Sequence, residues 1–144
     1  MSLFKALGSG LAGALALTVL HETARRILPD APRADILGMR AIEKALVQQG
    51  ETPPPDDQLH RLALAGDIAA NTLYYSLVGL GGKESWLAGP ALGALAGIGA
   101  ITLPGPLGLG EAPTERTPQT QAMTVLWYTA GGLVAALAYG LLND

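Results

Sequence analysis

Two polar sets hold the residues of this chain that are able to do chemistry. His60, Asp67, Asn71 and Tyr74 occur at i, i+7, i+11 and i+14. At 3.6 residues per turn those spacings fall on one helix face. His21, Glu22 and Arg25 form the second set, at the polar end of an apolar run. Two imidazoles and a carboxylate suit zinc or iron, so His21, Glu22 and His60 are candidate metal ligands, with Asp67 as a further donor. An ionisable group inside an apolar helix is costly to keep and is by default a functional group. Asp67 therefore suits a proton or ion relay, or the wall of a substrate cavity. The blander use is a cluster of hydrogen bonds and ion pairs that fixes helix register, and that is the expectation adopted here. His21-Glu22-x-x-Arg25 departs from the HExxH metalloprotease motif at its second ligand.

Asp67 needs a partner on any of these readings. Asn71 on the same helix and Arg25 or Arg26 across an interface are the first choices, and the hydroxyl of Thr18 or Thr124 the next. Glu22 has Arg25 and Arg26 at i+3 and i+4, the spacing of helix ion pairs. At about 1.5 Å per residue, Asp67 lies about 10 Å deeper than His60.

The elements that position these groups are apolar. Long runs cover residues 3–20, 62–82, 85–110 and 117–143, and the last two contain no charge. A bilayer core needs about 20 apolar residues of helix. A soluble helix keeps one face wet, and the last two runs have no such face. The pattern predicts one all-α membrane domain over residues 1–144, an integral four-helix bundle. Its spans run 3–28, 59–80, 86–103 and 119–142. Pro29 and Pro32 stop the first, because proline cannot continue the ladder. Pro90 is placed in the first turn of the third span, where its missing N–H costs little. Lys5 and the apolar run after it resemble a signal peptide, but no convincing cleavage site follows, so the segment is expected to stay as span one.

Between spans one and two, residues 35–47 read as a short interfacial amphipathic helix. Ile36, Met39, Ile42 and Leu46 share one face; Arg40, Glu43 and Lys44 share the other. Asp35 is a candidate cap. Such a helix either rests in the headgroup region or packs on the end of the bundle. Pro53-Pro54-Pro55 then gives an extended connector.

Gly89, Gly93 and Gly97 make two overlapping GxxxG motifs on one face of span three. In lipid, small residues let helix backbones approach and gain van der Waals contact. These glycines are expected to pack within the bundle, with a homo-oligomer interface as the alternative use. Gly8-Ser9-Gly10-Leu11-Ala12-Gly13 matches GxGxxG, but no strand precedes it, so it is a packing motif and not a dinucleotide site.

Composition narrows the function classes. The net charge is −3, which gives no basic footprint for a nucleic-acid partner. There is no cysteine, hence no disulfide or thiolate metal site. Seven of the nine Lys and Arg flank the two connectors on one side, and only Lys5 and Lys83 lie opposite. The positive-inside rule then puts both connectors in the cytoplasm and both termini outside.

The segments His21-Glu22-Thr23-Ala24-Arg25-Arg26, Pro29 to Met39, and Asn71-Thr72-Leu73-Tyr74-Tyr75 give the chain a resemblance to small four-span bacterial inner-membrane proteins of unknown function. That resemblance implies a fold class and a bacterial inner-membrane location, but no activity. The expectation is a non-enzymatic structural or accessory subunit with the lipid bilayer as its partner. It self-associates or joins a larger membrane complex, and no cofactor is implied. The alternatives are a small transporter or channel using Asp67, and a membrane-embedded metalloenzyme using His21, Glu22 and His60.

Overall fold

The computed structural model describes residues 2–144, and among them there are helices and turns but no strand. Helix α1 covers Leu3–Ile27, α2 Ala34–Gln48, α3 Asp56–Ser76, α4 Ser85–Thr102 and α5 Pro118–Asn143. A 3-10 segment, Leu77–Glu84, joins α3 to α4. Three continuous helical stretches are long and apolar enough to cross a membrane: Leu3–Ile27, Asp56–Thr102 and Pro118–Asn143.

The middle stretch is not one rod. Gly82 sits at φ 53° and ψ −118°, outside the helical region. The Tyr74 hydroxyl donates to the Leu92 carbonyl at 2.7 Å, 18 residues on. An unbroken helix would put those residues about 27 Å apart. The chain therefore reverses at Gly82, and α3 and α4 are two antiparallel arms.

Local sequence explains the ends. Pro29 follows α1, whose last N–H bond runs from Leu28 to Ala24. Asp56 and Asp57 occupy the first turn of α3, where the helix dipole favours negative charge, so α3 starts three residues before the expected 59. Thr117 caps α5 by accepting from the Thr120 N–H, with Pro118 at the first helical position. Because α4 begins at Ser85, Pro90 is its sixth residue. This corrects the first-turn placement: the missing N–H belongs to the second turn, and the Trp86 carbonyl loses that donor.

Packing is built from small residues. On α1, Ala6, Ser9, Gly10, Gly13, Ala14 and Leu17 are buried, spaced by three and four. Gly10 and Gly13 serve different neighbours. A Cβ on Gly10 would sit 2.8 Å from the Ser76 nitrogen of the α3 arm; one on Gly13 would sit 2.6 Å from the Gly131 carbonyl of α5. Gly89, Gly93 and Gly97 all face α5, against Gly132 and Ala136, Tyr128 and Thr129, and Val125 in turn. As residue numbers rise on α4 they fall on α5, so these helices run antiparallel. Tyr75, Val78, Leu17, Ala135 and Tyr139 fill the centre. Outward faces carry Leu95, Ile98, Leu126, Leu133 and Leu137.

Polar residues collect at one end. There α2 packs along the start of α3, where Gly38 lets it approach Ala63. On the other side α2 is bound to the α4–α5 loop. Arg40 donates to the Glu111 carbonyl at 2.7 Å and Lys44 to that of Leu107 at 2.7 Å. Arg116 donates back to the Pro29 carbonyl at 3.1 Å, and the Thr120 hydroxyl to that of Asp30 at 2.7 Å. Of the two dispositions expected for this helix, these contacts describe a packed one.

Candidate functional site

The polar groups of α1, α2 and α3 meet around a small void under α2. It holds about 20 Å³, and its lining includes His21, Glu22, Asp35, Asp67, Asn71 and Tyr128. A polar void of that size has room for one water and no more. His21 is buried, and its ring meets Tyr128 edge-on at 5.5 Å. Its Nε2 is buried without a hydrogen-bond partner among the described residues.

Asp67 is half-buried, and among the described residues its carboxylate has no side-chain hydrogen bond or ion pair. Of the expected partners, Arg25, Arg26 and Thr124 are engaged elsewhere, while Thr18 and Asn71 line the same void. Arg25 donates through Nε and Nη2 to Glu22 Oε2, at 2.9 and 2.7 Å, and Arg26 lies 3.7 Å from the same oxygen. The local i+3 pair forms because both members already stand on one helix face, so only side-chain rotamers need to be ordered. Thr124 donates to the Thr114 and Thr120 carbonyls. Asn71 does line the void with Asp67, without a bond between them.

His60 is not part of this void. Its Nδ1 lies 3.6 Å from Asp35 Oδ2. The proposed metal set of His21, Glu22 and His60 is therefore not assembled, and no three His, Asp or Glu of the described residues come together to hold a metal ion. The ligands stand on different sides of the α2 N-terminus, which inserts Asp35 between them. Tyr74 also leaves the stripe, since its hydroxyl reaches Leu92 on α4. Its neighbour Tyr75 donates to the Tyr128 carbonyl at 2.7 Å.

Asp35 also departs from its expected place. It does not cap α2. The N-cap is Arg33, with no side-chain cap bond, and Asp35 is the second helical residue. Its buried carboxylate accepts a two-pronged bond from Arg33, Nε to Oδ1 and Nη2 to Oδ2, both 2.8 Å. Burial alone would push the Asp35 pKa up. The Arg33 hydrogen bond and charge, the Arg25 charge and the Ile36 N–H outweigh it, and the group ends below its ordinary 3.8. The same hydrogen bond raises Arg33 above its ordinary value. Arg33-x-Asp35 was visible in the sequence as an opposite-charge pair; its burial was not, because burial requires the α4–α5 loop and α3 to close over it.

No protein-family model, no curated protein and no solved structure matches this chain.

Proposed function

We propose that the chain is a small bacterial inner-membrane protein that crosses the bilayer four times and serves as a non-enzymatic structural or accessory subunit. The α1, α3, α4 and α5 segments are its spans and form a four-helix bundle. The α2 connector and the α4–α5 loop face the cytoplasm, with the termini outside. The observation that carries this reading is the size of the void beside Asp67: about 20 Å³ leaves no room for a substrate against that carboxylate. Backbone-to-backbone contact at Gly89, Gly93 and Gly97 adds support by leaving no lumen between α4 and α5. Those glycines are spent inside one chain, so self-association or entry into a larger complex uses the outward apolar faces.

The chain has no cysteine, so single cysteines report topology without background. Gln49→Cys and Gly105→Cys are expected to react with an impermeant reagent in inside-out vesicles, and Lys83→Cys in spheroplasts; a Cβ at Gly105 meets nothing within 4 Å. Labelling of all three from one side would remove the four-span arrangement. Vesicles reconstituted with the protein and loaded with a pH dye should leak protons no faster than empty ones.

A proton relay is the second reading, and one observation favours it. Asp67 and the unpartnered His21 Nε2 border the same water-sized void. Proton flux that disappears in Asp67→Asn would establish it in place of the first.

A further inference from the structure

A second concentration of polar groups lies outside the Asp67 void. Four arginines from three parts of the chain line one cleft at the polar end: Arg25 from α1, Arg33 and Arg40 from the α2 region, and Arg116 from the α4–α5 loop. The cleft measures about 430 Å³, within the range of small-ligand sites. Glu111 is the only carboxylate in its lining.

Each guanidinium is held in place by part of its donor set. Arg25 spends Nε and Nη2 on Glu22, and Arg33 spends Nε and Nη2 on Asp35. Arg40 uses Nη1 on the Leu109 and Glu111 carbonyls, and Arg116 uses Nη2 on that of Pro29. None of these bonds uses Nη1 of Arg25 or Arg33, Nη2 of Arg40, or Nη1 of Arg116. The arginines are thus oriented by one side of the fork and keep donors on the other. With Glu22, Asp35 and Glu111 all counted, four positive charges face three negative ones, so the group retains an excess of one. Preoriented guanidinium forks match the tetrahedral oxygens of phosphate better than any other common side chain does. Apolar Leu28 and Ile36 border the same cleft.

We propose that this arginine cleft binds a phosphate-bearing anion, either the headgroup of an anionic phospholipid or free phosphate. The lipid source rests on the membrane reading above, because basic pockets at the cytoplasmic ends of spans take anionic headgroups. The free-phosphate source does not.

The test uses the full chain in neutral detergent. Inorganic phosphate is titrated in by calorimetry, and phosphatidylglycerol or phosphatidylcholine is added before native mass spectrometry. Retention of phosphatidylglycerol over phosphatidylcholine, with no heat from phosphate, identifies the lipid source. Saturable heat from phosphate, competing with phosphatidylglycerol, identifies the free anion. Arg40→Gln and Arg116→Gln should each weaken binding about fivefold. Arg61→Gln removes the same charge from the same end, outside the cleft, and should change nothing. Glu111→Gln should tighten binding by a similar factor, a gain that loss of folding cannot mimic. Equal retention of both lipids with no phosphate heat overturns the proposal, as does an Arg61→Gln loss equal to that of Arg40→Gln. Cysteine labelling that contradicts the four spans, with phosphate binding intact, would remove the membrane reading and leave the cleft.

Discussion

Gly93→Ala is the sharpest test of how α4 and α5 hold together. A Cβ at Gly93 would lie 2.6 Å from the Thr129 Cα and 2.8 Å from the Tyr128 carbonyl carbon, with the Tyr128 oxygen nearer still. Carbon atoms pack best at about 3.5–4.0 Å. The two helices must therefore part by about 1 Å. Every obstructing atom is backbone, so no rotamer change absorbs the methyl. A gap of that size forfeits about a quarter to a half of the attraction of each neighbouring contact. Gly89 and Gly97 stand on the same face and would lose contact too. Overpacking costs about 1–3 kcal/mol, and this rigid seam places the expected loss at about 2–3 kcal/mol. The measurement is reversible unfolding from bicelles by SDS titration, followed by tryptophan fluorescence in a Trp86→Phe background, so that the signal comes from Trp127, which packs against the core. Gly140→Ala on α5 is the control, since a Cβ there meets nothing within 4 Å; it should stay within about 0.5 kcal/mol of the parent. If Gly93→Ala unfolds at the parent SDS fraction, or Gly140→Ala shifts it equally, the seam does not carry the stability assigned to it.

Three further outcomes follow from the polar groups. Asp67→Asn should change stability by no more than about 1 kcal/mol, since no ionic partner is lost; a drop of about 3–5 kcal/mol in the same titration would reveal a buried ion pair. Tyr75→Phe removes the bond to the Tyr128 carbonyl from a fully buried side chain, and should cost about 0.5–1.5 kcal/mol. Asp35 titrates below its ordinary 3.8 in the folded chain, so the unfolded chain takes up that proton first. Its contribution is complete at higher pH and is lost as pH falls through the lowered value. Arg33 is about a third exposed, so the contribution sits below that of a fully buried pair, at about 1–2 kcal/mol. Thermal unfolding by circular dichroism from neutral pH into acid should show the parent converging on Asp35→Asn; a constant difference would sink the assignment.

Helix positions were legible because apolar runs and prolines are one-dimensional signals. Pro29, Gly82 and Pro118 punctuate the chain where the structure turns. The packing face of α4 was legible for the same reason, since spacing by four puts Gly89, Gly93 and Gly97 on one line whatever they touch. The Glu22–Arg25 pair was equally readable, being local. What competes for a side chain across the fold was not. Spacing offers Arg25 both Glu22 and Asp67, and the local carboxylate wins. Equal depth along two helices puts His60 level with His21, but depth does not reveal the element that stands between them. That element, the start of α2 with Asp35, is placed by bonds from the Arg33 N–H to Pro113 and from Arg40 to Glu111. No periodicity encodes pairings of that sequence separation, and the arginine cleft is invisible until they form.

The bonds joining α2 to the α4–α5 loop also set an order of assembly. Residues 29–44 leave the ribosome long before their acceptors and donors at 107–120, which are 63 to 90 residues later in the chain. Until then Arg40 and Lys44 have only water to donate to, and α2 has no second wall. The polar end can therefore close only after α4 has been made and the start of α5 has emerged. A nascent chain stopped before residue 107 would carry every residue that lines the Asp67 void except Tyr128, yet lack the strap that holds α2 over it. Protease access to α2 in chains of increasing length would then fall in one step, late in synthesis.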